Sequence, residues 1–572
     1  MEWKRRSGRL LAVGMLLFGL LVTTAFLRTN FSLFLPVAEE LEFVFQLMVA
    51  GTVVAILRNE AGMSTFGVFG PVILAFSWVI LGPFWGFLTV AYVFVVSALA
   101  RVAISDLDLG TAHRVASLLV VAAIGLFVLE AVGQLQNIPS LQSALIFPIV
   151  ITAWYAERFV GSVDETGWPP AARRLGATLV AIAAGYAIVS YEPLISFVIH
   201  TPETWVALVA LNIFLGAVTE TRLSEYVRFR AIRRSLGSKR PREILTMRVR
   251  NREFVGKYNP RSVMGAFDKE KMKKTLHGLS IPTPRTYLVA EGQSDFDELR
   301  ELLTETDKLA IKPMGGSGGR GILVVRGRDD ATGEFLTNRG RMDLNGVVTH
   351  TRNICVGGVA DYGARTKAIV EAFITPEKML ADRTTGGVPD LRVITLQGFP
   401  VMAMVRLPTE ESDGTANIHS GAVAVAVDIE TGESSGGYQQ THDRFIDAHP
   451  DTGASLEFTI PNWDGVLATA CRGAIASNLG YTGVDIVFDE EAGPMILEIN
   501  RRPGLGIQNA NMAGLLRRLR FVEAHGEPDQ FRSAEERVER AQEWARTNWE
   551  TLAKPPAERD ARTEMPPTEV SQ

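Results

Sequence analysis

Apolar and polar positions divide the chain into a long membrane-like part and a later part patterned like a soluble α/β protein. In the first part, apolar runs of about twenty residues alternate with short polar breaks, and an α-helix needs about that length to cross a bilayer. We therefore predict a transmembrane bundle of about eight helices. The runs cover residues 10–27, 43–57, 66–82, 84–100, 115–133, 141–160, 175–199 and 205–219.

The placement of arginine predicts the orientation of this bundle. If the N-terminus is cytoplasmic, the even-numbered loops should carry the positive charge. Loops 134–140 and 200–203, on the opposite side, contain no Lys or Arg, and Arg28 is the exception among the outer loops. We predict a multi-pass protein of the cell (inner) membrane with both termini cytoplasmic. The arginines of the even-numbered loops are Arg58, Arg101, Arg114, Arg158, Arg173 and Arg174.

Composition excludes several other classes of protein. The 572 residues include 58 Lys+Arg and 63 Asp+Glu, a balance that gives no sign of nucleic-acid binding. Two cysteines, Cys355 and Cys471, provide neither a disulfide framework nor a zinc site. The basic run 228–252 follows the last apolar run, so we expect it to contact anionic membrane lipid.

Two acidic residues lie inside the predicted membrane helices. A carboxylate within a membrane span is a functional candidate, and Glu130 and Glu192 are therefore candidates for a transport or sensing role. Both lie near predicted helix ends, so an interfacial position is the alternative.

From about residue 258 the pattern predicts a soluble domain. Helices are expected at 268–277 and 295–304, and strands at 286–289, 309–313 and 322–326. Further helices are expected at 512–524 and 532–552, and the polar tail from Pro555 is expected to be disordered. We predict a membrane domain at 1–225, a basic linker at 226–257, a catalytic domain at 258–525 and a C-terminal helix with its tail at 526–572.

A pair of predicted strands, 483–488 and 496–500, carries a candidate metal site. Alternation places Glu498 and Asn500 on one face of the second strand, and Asp485 can meet them from the first. Two carboxylates and an amide oxygen are ligands that suit Mg²⁺. The alternative is a hairpin with a solvated polar face.

A glycine-rich loop after the strand 309–313 is the second candidate feature. Residues 316–321 match G-x-G-x-x-G, but a strand follows instead of the helix that a dinucleotide fold requires. A flexible lid whose backbone N–H groups close over phosphates fits better, with Lys312 as a nearby point charge. An ordinary glycine-rich hairpin is the alternative.

Further polar residues lie within or beside apolar strands between these two features. Glu371 interrupts the strand 368–374, and more such positions occur at 390–393, 403–406 and 416–421. In this order, from Lys269 to the segment 498–504, the set resembles the ATP-grasp carboxylate–amine ligases. It is most similar to alpha-L-glutamate ligase-like proteins, which include the ribosomal-protein glutamate ligase. The resemblance covers about 258–519 and implies an α+β ATP-grasp domain after the helical bundle.

The resemblance also implies a role for each matching residue. Lysines and the glycine loop hold the phosphates of ATP, the strand 370–374 lines the adenine pocket, and an aspartate lies near the ribose. The implied nucleotide-binding residues are Lys269, Lys312, Gly316, Ser317, Gly318, Gly319, Glu371, Phe373 and Asp390. The implied ligands of two Mg²⁺ ions, with Mn²⁺ as an alternative, are Asp485, Glu498 and Asn500. The implied catalytic residues are Arg392, Arg406 and Asn417.

The function implied by the resemblance is ATP-dependent, ADP-forming ligation of a carboxylate to an amine through an acyl phosphate. The substrates are expected to be amino acids or peptides, and the enzyme to be tethered to the membrane. Thr415 stands where the ribosomal-protein enzyme has arginine, and the insert 332–356 is long, so the substrates stay open. Two alternatives are a transporter or sensor with a regulatory ATP-binding domain, and an enzyme that conjugates a lipid or sugar.

Overall fold

The computed structural model describes residues 2–30, 40–104, 111–141, 146–166, 168–218, 223–232, 243–266, 268–314, 321–356 and 366–546. The chain forms two compact units, one reaching to Tyr226 and the other starting at Val227. The predicted fold class, a helical membrane bundle followed by an α+β domain, is confirmed. The domain limits drawn from the sequence stay predictions.

Each of the eight apolar runs contains a helix, although residues 66–68 and 82 of the third run and Leu141 at the start of the sixth are not α-helical. The seventh run differs from the prediction, because it forms two helices separated at Ser190 and Tyr191. Pro193 lies in the first turn of the second helix, where its missing N–H costs no helical hydrogen bond. The helices are Glu2–Thr29, Glu42–Asn59, Phe69–Leu81, Pro83–Ala103, Thr111–Leu135, Ile146–Thr166, Trp168–Val189, Glu192–His200 and Glu203–Val218.

Four of the described helices are long and apolar enough to cross a membrane. They are Glu42–Asn59, Pro83–Ala103, His113–Leu135 and Ala171–Val189. Glu192–His200 and Glu203–Gly216 also pass the test as a pair, although a bend of 105° separates them. Gly14–Thr29 and Phe69–Leu81 are shorter apolar helices. The number of spans therefore stays a prediction.

A buried ionic group lies within the helical unit, at positions that differ from the two acids predicted to matter. Glu157 Oε2 is 2.8 Å from Arg101 Nε, and its Oε1 is 2.8 Å from Arg114 Nε. All three side chains are buried or nearly so. Since a charge in an apolar bundle is stable only when it is paired, this group ties three helices together.

The second unit contains two antiparallel sheets among the described residues. The six-stranded sheet has the order β1-β6-β2-β3-β4-β5, and the seven-stranded sheet has the order β11-β10-β9-β8-β7-β12-β13. The strands are β1 Thr286–Ala290, β2 Leu309–Pro313, β3 Leu323–Arg328, β4 Phe335–Thr337, β5 Gly340–Met342, β6 Ala368–Ala372, β7 Asp390–Leu396, β8 Phe399–Leu407, β9 Val423–Val427, β10 Ser434–Gln439, β11 Arg444–Ile446, β12 Tyr481–Asp489 and β13 Gly493–Asn500.

Helices cover both sheets and bury their apolar residues. Phe296, Leu299 and Leu303 recur at helical spacing and form a core with the six-stranded sheet. The long insert 332–356 forms β4, β5 and one of the covering helices. The longer helices of this unit are Arg261–Ala266, Lys269–Gly278, Gln293–Glu305, Leu344–Val356, Trp463–Ala476, Leu515–His525 and Ala534–Trp544, and the shorter ones are Met247–Val249, Gly256–Tyr258, Lys378–Ala381 and Ile507–Ala510. The short helix Leu223–Arg228 extends across the limit between the two units. A π-helical segment, Arg250–Val255, connects two of the shorter helices.

The stretch 226–257, predicted to be a basic linker, is packed where it is described. Several of its apolar residues, among them Leu245 and Phe254, are buried in the core of the seven-stranded sheet, whereas Tyr226 and Val227 are exposed. Gln508 also holds this stretch, because it accepts from Leu245 N at 2.8 Å and donates to Leu245 O at 3.1 Å. The C-terminal helix Ala534–Trp544 likewise packs on this core, and the tail from Pro555 lies outside the described residues.

Candidate functional site

Three adjacent strands bring the predicted metal ligands and one predicted catalytic arginine together. In the register of β12 with β13, Asp485 pairs with Glu498 and Gly483 pairs with Asn500. On the other side of β12, Asp485 pairs with Arg392 of β7. Asp485 is buried, whereas the Glu498 side chain is 37% exposed. The predicted meeting of these residues on one face is therefore present.

Asp390, Arg392, Arg406 and Asp485 form what we name the arginine–aspartate cluster. Arg392 donates to Asp485 through two nitrogens, Nε at 2.7 Å and Nη2 at 2.6 Å. Arg406 does the same to Asp390, at 2.5 and 2.6 Å, and its Nη2 also reaches Asp485 at 3.0 Å. Such two-pronged guanidinium–carboxylate pairs are among the strongest ionic contacts in proteins.

The carboxylate of Asp485 is saturated with donors. Besides the three arginine nitrogens, Asn500 Nδ2 donates to it at 2.9 Å, and a carboxylate accepts about four hydrogen bonds. Although burial acts to raise it, Arg392 and Arg406 hold the pKa of Asp485 below its usual range. Burial raises the pKa of Asp390 to about 6, against the effect of Arg406.

Lys269, Lys273 and Lys312, together with Glu371 and Glu498, form a second group that we name the lysine cluster. Glu371 is only 1% exposed and pairs with Lys273 through one oxygen and with Lys312 through the other, the latter at 2.9 Å. Lys269 Nζ lies 3.0 Å from Glu498 Oε1. Three ammonium groups thus share two carboxylates.

Burial and mutual repulsion disfavour full protonation of the inner lysines. Burial, and then the charges of Lys312 and Lys269, lower the pKa of Lys273 to about 7. Burial lowers the pKa of Lys312 to about 8, where Glu498 opposes the shift and Lys269 adds to it. Both lysines therefore lose their protons more easily than a solvent-exposed lysine does.

One helix connects the lysine cluster to both sheets. Asp268 caps the helix Lys269–Gly278 by accepting from Glu270 N at 2.8 Å and Lys271 N at 3.2 Å. Lys269 and Lys273 are one turn apart and lie on the same face. Lys269 reaches β13 of the seven-stranded sheet, and Lys273 reaches β6 of the six-stranded sheet.

The loop around Asn417 lies beside the arginines, and the side chain of Asn417 forms its hydrogen bonds within this loop. Asn417 donates to Ser420 Oγ at 3.0 Å and accepts from His419 N at 3.1 Å. Burial, followed by the charges of Arg228, Arg392 and Arg406, lowers the pKa of His419. The structure thus brings this loop near the arginine–aspartate cluster, while Asn417 contacts neither cluster through the bonds described.

The remaining predicted nucleotide-binding residues belong to the glycine loop and to the segment after β6. Gly316, Ser317, Gly318 and Gly319 lie outside the described residues. Phe373 is half-buried and directly follows β6, whose last residue Ala372 donates its N–H to Arg285 O at 2.8 Å.

Sequence reasoning missed two features of the site. Lys273 was not predicted, although its spacing of four from Lys269 places both on one helical face. Arg250 and Asn259 were also missed. Arg250 holds the segment after β13, and Asn259 holds the start of β12 and also donates to Arg501 O, just after β13, at 3.3 Å. Arg250 Nη1 donates to Pro503 O at 2.7 Å, and Asn259 Nδ2 donates to Tyr481 O at 2.9 Å.

The three predicted metal ligands differ in how well their surroundings suit a bound metal ion. No group of three His, Cys, Asp or Glu side chains converges anywhere in the part of the chain that is described. Glu498 is partly exposed and shares one oxygen with a lysine, so it fits a metal ligand. Asn500 donates to Asp485 through nitrogen, which leaves its amide oxygen for a metal. Asp485, with its acceptor sites filled, fits only if an arginine withdraws.

Two family models match the two parts of the chain. Residues 249–524 match the family described as sugar-transfer associated ATP-grasp. Residues 21–233 match the family described as seven transmembrane helices usually fused to an inactive transglutaminase. The predicted ATP-grasp domain fused to a membrane domain is confirmed.

Solved structures with partial likeness to this chain include ATP-grasp enzymes. The ATP-grasp ligase PsnB with its minimal precursor shares 15% identity at a TM-score of 0.26, over 47% of this chain and 62% of that chain. The D-cycloserine synthetase DcsG shares 15% identity at a TM-score of 0.26, over 50% and 71%. The D-alanine–D-alanine ligase of Bacillus anthracis complexed with ATP shares 16% identity at a TM-score of 0.25, over 45% and 68%. No curated protein matches the chain in sequence.

Proposed function

Since this chain joins an ATP-grasp domain to a membrane domain, we propose that it is a membrane-tethered, ATP-dependent carboxylate–amine ligase. The observation that carries the proposal is the helix Lys269–Gly278, which brings one lysine to each sheet. Through it, Lys269 meets Glu498 and Lys273 meets Glu371. A nucleotide with its metal ions bound between the sheets would find cations and acids together.

Lys269 and Lys312 support the proposed binding of ATP phosphates. Lys269 is a point charge beside the partly exposed Glu498. Lys312 is a point charge three residues before the glycine loop in the sequence. Glu498 and Asn500 would hold magnesium, and Asp485 would join them after releasing an arginine. Bound magnesium would neutralise charge on the transferred phosphoryl group. We propose that two ions bind, with Mn²⁺ as the alternative to Mg²⁺.

The proposed reaction has two steps. A carboxylate oxygen of one substrate attacks the γ-phosphorus of ATP, the bond to the bridging oxygen breaks, and ADP leaves. The amine of the second substrate then attacks the acyl carbon, the carbon–oxygen bond to phosphate breaks, and the nitrogen loses a proton. Phosphoryl transfer of this kind depends mainly on positioned charges, which the protein supplies.

Arg392 and Arg406 are proposed to stabilise the acyl phosphate. Both guanidinium groups are held by aspartates at 2.5–3.0 Å, so their positions are fixed before substrate binds. A guanidinium that leaves Asp485 for a phosphoryl oxygen keeps its charge paired and at the same time frees a metal ligand. A donor aimed at developing negative charge stabilises it, at the cost of the contact with Asp485 that the guanidinium gives up. Asn417, in the neighbouring loop, is proposed to assist from the phosphate side.

Turnover of labelled ATP tests this proposal. The purified full chain is incubated with magnesium, ATP and pooled amino acids and peptides, and ADP, phosphate and amide products are measured. We expect ADP and phosphate to form in equal amounts only when a suitable carboxylate is present. Magnesium-dependent ATP binding without any turnover across a broad pool would favour the regulatory alternative.

A second candidate function is favoured by the description of the matched family. That family is sugar-transfer associated, which favours an acceptor or acid carried by a sugar or lipid conjugate. The same assay with amino sugars and lipid-linked amines in place of amino acids separates the two candidates. Turnover that requires the conjugate would select the second.

We also propose that the catalytic domain lies on the cytoplasmic side. The support is the alternation of arginine-bearing loops and the absence of Lys and Arg from 134–140. Reporter fusions placed after Leu236 and within 134–140 are expected to report opposite sides of the membrane. The same side for both would contradict this topology.

A further inference from the structure

Glu371 pairs with two lysines, although one cation is enough to neutralise its charge. A buried carboxylate is stabilised by one well-placed cation, yet each oxygen of Glu371 pairs with a different lysine. Lys312 comes from β2, the neighbouring strand of the same sheet, where Ala310 is directly opposite Glu371. The second cation, Lys273, comes from a helix outside the sheet. The pairing of strands within the sheet therefore does not account for the position of Lys273 beside Glu371.

The surroundings of Lys273 do not otherwise balance its charge. Lys269 lies on its own helix and Lys312 on β2, so both neighbouring cations repel it. Glu498 on β13 attracts it from a distance but pairs directly with Lys269. Three ammonium groups facing two carboxylates leave one positive charge without a direct acidic partner of its own. A buried excess of charge is costly unless a ligand of opposite sign compensates it.

The exposure of the three side chains shows where such a ligand can approach. Glu371 is 1% exposed, but Lys273 is 16% and Lys312 is 21% exposed. The carboxylate is therefore sealed, while both lysines keep an accessible part.

We propose that Lys273 is a third nucleotide-binding lysine, which leaves or shares Glu371 to contact the phosphates of ATP. This inference rests on the proposed function and adds a residue to it. Its simplest competitor is a structural role in which Lys273 only neutralises Glu371. The two differ in a measurable way, because a lysine in contact with phosphate contributes to nucleotide affinity even where Glu371 is absent, and bound phosphate favours its protonated form more strongly than that of a lysine that stays on Glu371.

Binding of a non-hydrolysable ATP analogue with magnesium to the full chain, measured by calorimetry, tests the proposal. Lys273→Met is expected to weaken binding about tenfold to a hundredfold, the loss typical of one charge-assisted contact. The matched control is Lys274→Met, one residue further along the same helix. The Lys274 side chain is 74% exposed and pairs with Glu270 at 2.7 Å, so its loss should leave affinity unchanged.

Proton uptake separates phosphate binding from a structural role. Burial lowers the pKa of Lys273 to about 7, so near neutral pH part of the population is neutral and should take up a proton when phosphate binds. Calorimetry in buffers of different ionisation enthalpy measures that uptake. Lys273→Arg should retain affinity within a few fold but take up less proton than wild type, because arginine does not titrate in this range.

A second variant keeps the test valid if Lys273→Met disturbs the local structure by removing a partner of Glu371. Glu371→Gln removes the carboxylate that a structural Lys273 would serve. If Lys273 binds phosphate, adding Lys273→Met to Glu371→Gln still weakens nucleotide binding. If the added change has no effect there, or if Lys273→Met alone binds like wild type, the proposal is overturned while the proposed function stands. A wild-type chain that binds no magnesium nucleotide would overturn both.

Discussion

The two ionic clusters of the site are built from similar charges but are balanced differently. In the arginine–aspartate cluster, two guanidinium groups face two carboxylates at 2.5–3.0 Å, and every charge has a direct partner. In the lysine cluster, three ammonium groups share two carboxylates, and Glu371 takes two of them. The first cluster is closed, and the second is open to one more negative charge.

This difference indicates that the two clusters have different roles. A closed cluster of buried pairs fixes the geometry of β7, β8 and β12 before any ligand binds. An open cluster keeps its lysines near their titration range until an anion arrives. Variants of the balanced cluster should therefore lose stability in addition to the proposed catalytic role of the arginines, and variants of the unbalanced cluster should lose mainly affinity or turnover. The following predictions test this from the largest effect to the smallest.

Arg406→Met should produce the largest loss, and the loss should be one of stability. It leaves Asp390 buried without its two-pronged partner and removes a donor from Asp485. Breaking a buried pair typically costs about 3–5 kcal/mol. Hydrogen exchange of the amides in β7 and β8 should show that decrease in the free energy of opening. Arg472→Met, which breaks the exposed pair with Glu535, should cost less than about 1 kcal/mol. Equal protection in both variants would show that the cluster is not closed in solution.

Glu498→Gln should nearly abolish turnover while the fold is retained. Glutamine keeps the shape of the side chain but removes the negative charge that magnesium prefers. Loss of one strong catalytic contact typically costs a factor of about 100 to 1,000 in rate. The measurement is ADP release at saturating magnesium. Glu491→Gln, on the exposed turn of the same hairpin, is the control and should turn over like wild type. Wild-type activity in Glu498→Gln would remove the metal assignment.

Lys269→Met should lower nucleotide affinity far more than stability. Its pair with Glu498 has both side chains 37% exposed, so the pair itself contributes about 0–1 kcal/mol to folding. A lost contact to phosphate should weaken binding about tenfold or more. Calorimetry with the magnesium nucleotide, beside thermal unfolding of the same sample, measures both quantities. A large drop in unfolding temperature with unchanged affinity would reverse the assignment.

A change of pH should give the smallest effect, and its direction follows from the lysine cluster. Burial lowers the pKa of Lys273 to about 7 and that of Lys312 to about 8, and bound phosphate favours their charged forms. Affinity should therefore be highest below these values and fall severalfold as the pH rises through them toward the pKa values of the bound state. Titrations of nucleotide at several pH values measure this. An affinity that rises with pH would contradict an open cationic cluster.

The sequence predicted which side chains share a face of one strand or helix better than it predicted which strands and helices contact each other. Alternation along β13 was enough to place Glu498 and Asn500 on one face, and the register with β12 brings in Asp485. The pairing of Arg406 with Asp390, however, depends on β8 lying beside β7, and local pattern does not specify which strands become neighbours. Lys273 meets Glu371 across 98 positions of sequence, and only the tertiary fold sets that contact.

The stretch 226–257 shows how charge can hide a packing signal. Its many basic residues led to the prediction of a linker, but Ile244, Leu245 and Phe254 among them are buried in the core. The apolar positions were present in the sequence and were outweighed by the charges between them. Long basic side chains can stay at the surface while their neighbours pack, so a basic run does not exclude a structured segment.

The most direct test of the central claim is a cryo-electron microscopy structure of the full chain with magnesium and a non-hydrolysable ATP analogue. The phosphates are expected between the two sheets, in contact with Lys269 and Lys312, and the metal on Glu498 and Asn500. Asp485 should then have exchanged at least one arginine nitrogen for the metal. A nucleotide bound elsewhere, with Lys269 still on Glu498 and Asp485 still holding both arginines, would contradict the proposal that this site carries the ligase chemistry.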